Sequence, residues 1–439
     1  MSALLDRSSD FTMTARLRQP TVFAPLLAMA GFVVCWYIIH HGFFTDGKML
    51  DTPIYAGYAQ HMKDGQLPYR DFVETYPPLA FPVFLIPALV AGQSFGGYTE
   101  VFELIMLLCG LGAVGLASYM VADMGVTGKR LGAVVALGGL TPLLIGSVIL
   151  SRYDLWPTLL TVAALAGLYY DMPRTAFAFI ALGAAAKAYP LVFLPLAMIY
   201  VWRSLGRRAA LESLAVFAGL LLLTCLPFAI LAPHGFWASI NSQTGRPLQI
   251  ESLGATIWLF AHQVLGTHLH IYFTHGSDNL DGHASLQFGT VMSVLQVAAI
   301  LGIYAVYALG QATRERLLMT SAAVVCAFIV FDRVLSPQYL LWLVPMVMLV
   351  VRSRRGPLAV GLLAASMALT QIWFPHHFVG LKHFQPVESW GVIARDLVLL
   401  ALFGTLAWPD VPVWSSVKSL IGGLRSHAPP RRLPHLEEA

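Results

Sequence analysis

The sequence predicts an all-helical protein that crosses a lipid bilayer many times. Hydrophobic residues make up 57% of the 439 residues and charged residues only 11%, whereas soluble domains carry about 25% charged residues. Apolar runs of about 17 to 25 residues, each long enough for a hydrocarbon core, recur along most of the chain. Backbone groups in lipid must pair within their own segment, and the short alternating segments of a membrane barrel are absent, so the runs are helices.

About twelve spans are predicted within one transmembrane domain over 21–409, between an inner N-terminal segment (1–20) and a basic inner tail (410–439). Lys and Arg concentrate in the short loops on one side, which the positive-inside rule makes the cytoplasmic side. An odd number of spans would break this pattern. The predicted spans are 21–40, 99–123, 131–150, 155–171, 175–186, 189–202, 210–232, 288–310, 317–333, 338–352, 357–373 and 391–409.

Three long segments, 41–98, 234–287 and 374–390, face the opposite, outer side. The run 79–90 is apolar but short and contains two prolines, which favours an interfacial or re-entrant helix over a span. The stretch 175–202 has arginine at both flanks, so both of its ends lie on the inner side. It must then form two short helices that meet near Lys187, and these leave a cavity open to the outer side.

The first outer segment contains a predicted amphipathic helix. Asp51-Thr52-Pro53 is a helix-start signal and Asp64-Gly65 ends the helix. Asp51 is a candidate catalytic carboxylate, with two alternatives: it serves only as the helix N-cap, or Asp46 takes the catalytic role. The apolar face is predicted to comprise Ile54, Tyr55, Tyr58, Ala59 and Met62.

Other polar residues have structural alternatives beside a functional interpretation. Lys187 could snorkel to the interface, and Arg246 could be an ordinary exposed loop residue. Arg152–Asp154, Asp332–Arg333 and Arg395–Asp396 could be structural ion pairs, and Arg70 could pair with Asp71 or Glu74. Trp237, Trp373, Phe374 and Trp390 could stack on sugars or anchor the protein at the interface. The spacing of His376, His377 and His383 matches no standard metal site, so no metal is predicted.

Several motifs together resemble glycosyltransferase family 87, of the GT-C class of membrane glycosyltransferases. In the first outer segment they are Asp51, Tyr55, Gly65-x-x-Pro68-Tyr69 and Tyr76-Pro77-Pro78-Leu79. Further along they are Ser151-Arg152-Tyr153-Asp154, Ala186-Lys187-Ala188-Tyr189-Pro190 and Ser336-Pro337-Gln338-Tyr339. The resemblance implies a GT-C-like fold and an inverting transferase that moves a sugar, mannose before others, from a polyprenyl-phosphate donor to a glycolipid, phosphatidylinositol-mannoside-like, or glycan acceptor.

The resemblance also implies roles for individual residues. Asp51 becomes the catalytic base, because a phosphate leaving group needs no general acid. The leaving phosphate needs cations and donors, and the expected ligands of the donor are Lys187, Arg333, Arg152, Gln338 and Tyr339. The expected acceptor-binding residues are Tyr55, Glu74, Tyr76, Arg246, His376 and His377.

The expected partners are membrane lipids, the donor and the acceptor, without nucleic acid or cofactor. The site would face the exterior of the cytoplasmic membrane. The alternatives are a transporter or lipid flippase, against which the absence of a sequence repeat argues, and a ligase for lipid-linked polymers.

Overall fold

The computed structural model describes residues 19–42, 51–73, 75–92 and 94–408. These residues are mainly helical, with one small hairpin of strands β1 (Ile271–Thr274) and β2 (Ser277–Leu280). Three 3-10 turns span Pro78–Ala80, Tyr189–Phe193 and Pro337–Tyr339. The α-helices are α1 (Pro20–His41), α2 (Thr52–Lys63), α3 (Phe81–Ala91), α4 (Phe95–Asp123), α5 (Gly128–Ile145), α6 (Val148–Ser151), α7 (Leu155–Tyr169), α8 (Pro173–Ala186), α9 (Leu194–Ser204), α10 (Arg207–Leu231), α11 (Pro233–Thr244), α12 (Leu253–Leu265), α13 (His283–Leu309), α14 (Arg314–Val330), α15 (Leu340–Leu349), α16 (Gly356–Thr370), α17 (Phe378–Lys382) and α18 (Pro386–Ala407).

The prediction of an all-helical, multi-span membrane protein is confirmed. Six of the described helices, α1, α4, α5, α10, α13 and α18, are long and apolar enough to cross a bilayer, and several shorter apolar helices accompany them. α10 and α13 have apolar surfaces that are mostly exposed, as expected for helices whose outer faces contact lipid. The total of twelve spans stays a prediction, as do the domain boundaries; 1–18 and 409–439 lie outside the described residues.

Polar contacts join loops that the predicted topology places on the same side of the bundle. The predicted inner loops contact one another: Arg130 donates to the Arg352 carbonyl at 2.6 Å, and Arg352 pairs with Glu315 at 3.0 Å. Arg203 donates to the Gly310 carbonyl at 2.7 Å. These arginines lie at one end of the bundle, which we call the inner side. Asp51 lies at the opposite, outer side; which side faces the cytoplasm stays a prediction.

The bundle is built around α15, all ten residues of which are buried. Helices α4, α5, α7, α14 and α16 pack against it. At the periphery, α1 approaches α5 so closely that a Cβ at Gly31 would lie 3.1 Å from the Gly139 Cα. Small residues allow this approach, and close backbone packing drives helix association in lipid, where apolar burial alone gives little.

The predicted short hairpin is present and breaks at Lys187. The residue is extended (φ −161°, ψ 139°) and ends α8, after which the chain forms the Tyr189–Phe193 turn and α9. With 14 and 11 residues, α8 and α9 are about 21 and 16 Å long. Neither spans a core of roughly 30 Å, so the break lies at depth in the bundle.

The first outer segment also folds as predicted, with one difference. α2 begins after Asp51 and ends at Asp64, and Gly65 follows with φ 79°. Tyr55 and Ala59 are buried, whereas Ile54 is 48% exposed and therefore does not belong to the buried face. The run after Pro77 forms a 3-10 turn and the 11-residue α3, which is short for a span.

Elsewhere the structure corrects predicted boundaries. The span 131–150 is interrupted, because Gly146 adopts φ 73° and ends α5 before the short α6. The span 317–333 ends at Val330, which leaves Asp332 and Arg333 in a loop. The second outer segment contains α11, α12 and the β1–β2 hairpin, none of which the apolar pattern predicts.

Candidate functional site

Asp51 lies at the N-cap position of α2, but its side chain makes no capping hydrogen bond. Its carboxylate instead forms an ion pair with Arg152, which lies between α6 and α7. Tyr55, one turn along α2, donates its hydroxyl to the same carboxylate oxygen at 3.3 Å. The two charged side chains are about one-sixth exposed. The carboxylate is therefore held at the rim of the bundle, and capping is not what orients it.

Several aromatic rings pack beneath the Asp51–Arg152 ion pair. Tyr55 stacks on Phe84 of α3 with ring centroids 4.3 Å apart, and packs edge-on against Tyr76 at 5.7 Å. Tyr76 packs edge-on against Tyr153 at 5.3 Å. The predicted acceptor residues Tyr55 and Tyr76 thus lie together below Asp51. Their rings pack against each other and against Phe84, so they form its floor.

A second ion pair lies deeper. Lys187, at the α8 break, pairs with Asp154 at 2.6 Å, and Trp342 of α15 donates its indole N–H to the same oxygen at 2.7 Å. The Asp154 side chain is 1% exposed and that of Lys187 17%. The lysine points inward and does not snorkel. The alternative of a structural Arg152–Asp154 ion pair does not hold, because each residue pairs with one from a different part of the chain.

The second outer segment brings Arg246 close to these pairs. Its guanidinium donates to the His275 carbonyl at 2.8 Å and to Ser277 Oγ at 3.2 Å, so the β1–β2 hairpin supports it. It interacts electrostatically with Lys187 and Tyr339. Its Nε is buried and has no hydrogen-bond partner among the described residues. Arg246 is therefore a positioned cation and not an ordinary exposed loop residue.

Arg333 has a different environment from the predicted one. Its Nε donates to Ser293 at 2.7 Å and its Nη1 to the Arg246 carbonyl at 3.2 Å. The Arg333 carbonyl accepts the Gln249 amide at 3.0 Å. These bonds join α13 to the second outer segment. Arg333 therefore supports Arg246. Its guanidinium bonds to these groups, which does not favour the alternative of a structural Asp332–Arg333 ion pair.

Gln338 and Tyr339 lie in the 3-10 turn that precedes α15. The Tyr339 ring stacks on Trp342 at 4.2 Å, and Lys187 Nζ lies 5.4 Å from its centroid. Gln338 is buried, and its Oε1 has no hydrogen-bond partner among the described residues. Tyr339 therefore lies beside Lys187, and the preceding residue Gln338 has a polar atom without a partner among the described residues.

His376 and His377 are exposed on the segment after α16, beyond the buried Trp373 and Phe374. Within the described residues no group of three or more His, Cys, Asp or Glu side chains is arranged to hold a metal; independence from metals stays a prediction. The predicted acceptor residue Glu74, and Asp46, lie outside the described residues.

Glu251 is a carboxyl that the sequence analysis missed. It lies two residues before the start of α12 and is 1% exposed. Trp373 donates its indole N–H to Oε1 at 2.9 Å, and Gln249 donates its amide to Oε2 at 3.0 Å. The Glu251 carbonyl accepts from Arg395 at 2.6 Å. Burial, with Asp396 acting in the same direction, raises the pKa of the Glu251 carboxyl to about 7.

These contacts define one outer polar cluster, in which acidic and basic groups from separate outer segments meet. It can bind an anion at its guanidinium and ammonium groups and hold a carboxylate close by. Its members are Asp51, Arg152, Asp154, Lys187, Arg246, Glu251 and Tyr339.

The fold and the cluster define a polytopic helical membrane protein with a charged site at one end of the bundle. The model of glycosyltransferase family 87 matches residues 75–337, well over half of the chain, and the chain belongs to this family. It is therefore a glycosyltransferase. The match includes Arg152, Lys187 and Arg246, whereas Asp51 precedes it.

Two further comparisons were made. Among solved structures, ArnT from Cupriavidus metallidurans bound to undecaprenyl phosphate is similar over 87% of this chain and 77% of its own. The TM-score is 0.46 and the sequence identity 14%, so the family match, and not this distant likeness, identifies the chain. No curated protein matches it.

Proposed function

We propose that this protein is an inverting glycosyltransferase of GT-C type that transfers mannose from a polyprenyl-phosphate donor to a glycolipid or glycan acceptor. Family membership supports the reaction class. The observation that carries the rest of the proposal is the ion pair between Asp51 and Arg152, which holds a carboxylate beside the cations of the outer polar cluster. The reaction is proposed to occur at the outer face of the cytoplasmic membrane.

The chemistry requires one base and a site for phosphate. The acceptor hydroxyl oxygen attacks the anomeric carbon while the bond from that carbon to the phosphate oxygen breaks. The electron pair of this bond stays on the polyprenyl phosphate, and the hydroxyl proton goes to Asp51. Attack from the face opposite the phosphate inverts the anomeric carbon, so a β-linked donor gives an α-linked product.

The cations would stabilise the charge that builds on the leaving phosphate. Lys187 and Arg246 lie close enough to interact electrostatically, and Arg152 pairs with Asp51. A phosphate that draws Arg152 toward itself leaves the Asp51 carboxylate free to accept the proton. The same movement therefore assembles the phosphate site and exposes the base.

The remaining proposed ligands have structural support of different kinds. Tyr339 lies beside Lys187, and Gln338 precedes it with a buried oxygen that has no partner among the described residues. Both could contact the donor sugar. Tyr55 and Tyr76 line the floor below Asp51 and would contact the acceptor, for which exposed His376 and His377 are more distant candidates. Arg333 acts on the donor through Arg246.

Sugar transfer by purified protein tests the proposal. Membrane lipids and polyprenyl-phosphate mannose are the substrates, and wild type is compared with Asp51→Asn. Loss of a positioned base lowers turnover by about 10² to 10⁴-fold. Asp64→Asn, at the other end of the same helix and exposed, is the matched control and should stay within about twofold of wild type.

Equal transfer by wild type and Asp51→Asn would retain the reaction class and reject Asp51 as the base. Absence of transfer by both would reject the donor or acceptor class. Lipid flipping and polymer ligation would then be measured on the same preparation.

A further inference from the structure

Glu251 has a position that none of the roles described so far uses. It is buried between the second outer segment, the segment after α16 and the first turns of α18. Its carboxyl interacts electrostatically with Arg152, the cation that pairs with Asp51. Glu251 thus links a buried network on one side of the cluster to the residue proposed to bind the donor phosphate.

The charged groups around Glu251, counted with their own ion-pair partners, include more carboxyls than guanidiniums. Arg395 and Asp396 face it from α18 and are already paired with each other at 2.6 Å. Arg152 faces it from the segment between α6 and α7 and is already paired with Asp51. Two guanidiniums therefore serve three carboxyls. Glu251 is the third carboxyl, and it is satisfied only by the uncharged N–H groups of Trp373 and Gln249.

We propose that Glu251 is a positioning residue that couples donor binding to the uptake of one proton. As a carboxylate it competes with the donor phosphate for Arg152, and as a neutral acid it leaves Arg152 available. This inference rests on the proposed donor. It adds a residue from outside the expected site and a dependence on pH that the Asp51 mechanism alone does not contain.

The direction of the effect follows from charge. A bound phosphate adds a negative charge beside Arg152, with which the Glu251 carboxyl also interacts, so binding favours protonated Glu251. The pKa of this carboxyl is already raised to about 7 by burial. Affinity for the donor should therefore be highest below pH 7 and fall as pH rises through 7, by about tenfold between pH 6 and pH 8.

Direct binding measurements test this. The probe is citronellyl phosphoryl-β-mannose, a phosphodiester whose charge does not change over this pH range, so any dependence on pH comes from the protein. The dissociation constant is measured at pH 6, 7 and 8 for wild type and Glu251→Gln. The amide mimics the neutral acid in shape and cannot ionise. Wild type should weaken about tenfold from pH 6 to pH 8, and Glu251→Gln should change by less than about twofold.

Glu388→Gln is the matched control, because Glu388 is also a buried glutamate of the outer side, on α18. It should follow the wild-type pH dependence. Sugar transfer at pH 6 is measured on the same samples. Equal pH dependence in wild type and Glu251→Gln, with transfer intact, would overturn the coupling and leave the proposed function standing. No binding by wild type at any pH would reject the donor and the coupling together.

Discussion

Asp154→Asn should destabilise the protein strongly, because it removes the charge that compensates Lys187. The pair is nearly dry: the Asp154 side chain is 1% exposed and that of Lys187 17%, with Nζ and Oδ1 2.6 Å apart. Breaking a buried ion pair by removing one partner costs about 3 to 5 kcal/mol. The lysine keeps some access to water, so we expect a loss of about 3 kcal/mol, at the lower end of that range.

A double-mutant cycle separates the pair from its surroundings. Lys187→Met leaves Asp154 with only the Trp342 N–H, at 2.7 Å, and should cost a similar amount. The double variant has no unpaired charge, and its asparagine can still accept the Trp342 hydrogen bond. It should therefore be more stable than either single variant, with a coupling energy of at least about 3 kcal/mol.

The free energy of unfolding is measured by titrating the protein in mixed micelles with sodium dodecyl sulfate. Asp71→Asn is the control, since it breaks the exposed Arg70–Asp71 pair and should change the free energy of unfolding little. A double variant no more stable than the weaker single variant would refute the reasoning, because the pair would then not be the source of the loss.

Three further results are expected. Arg246→Ala should raise the donor KM by about tenfold or more, because a half-buried cation beside the proposed phosphate site is lost. Arg70→Ala, in an exposed pair, should leave KM unchanged, and equal KM values for Arg246→Ala and wild type would remove Arg246 from the site. Gly235→Ala should lower the thermal unfolding temperature, since its Cβ would collide with the Tyr69 carbonyl. Gly219→Ala is the control and should leave this temperature unchanged, because a Cβ there would have nothing within 4 Å. Matching melting curves for the two variants would show that α11 can shift. Glu251 has a pKa raised from 4.5 to about 7, so its contribution to stability is fully present below pH 4.5 and is lost as pH rises through 7, by about 3 kcal/mol; the free energy of unfolding at pH 5 and pH 8 should show this slope in wild type and lack it in Glu251→Gln.

The elements that follow from local rules could be predicted from the sequence. The start signal at Asp51 and the Asp64-Gly65 ending give α2 to within one residue. The arginines on both flanks of 175–202 give a hairpin that breaks at Lys187, because both of its ends had to lie on one side. Lipid makes such inferences strong, since few residues can be charged at depth and each charged residue limits the topology.

The partners of the charged residues could not be predicted. Arg152 and Asp154 are two positions apart and read as a pair, but Arg152 is extended whereas Asp154 is the N-cap of α7. Their side chains therefore diverge toward Asp51 and Lys187. Glu251 stands in no recognisable local motif, and its burial depends on Trp373 and Arg395, which lie 122 and 144 positions away. The residue pattern within one segment contains no information about contacts with segments that are distant in the sequence.

The break between α8 and α9 at Lys187 affects how far a lipid-linked donor would have to leave the bilayer to reach the site. A polyprenyl chain has tens of carbons, and moving each buried CH₂ from lipid to water costs about 0.8 kcal/mol. A site above the membrane surface would require part of this transfer in every turnover. Because α8 and α9 are each shorter than the bilayer core, Lys187 lies at a depth where the proposed donor could keep its tail among lipid chains. A donor that binds there would not have to be pulled out of the lipid before each turnover.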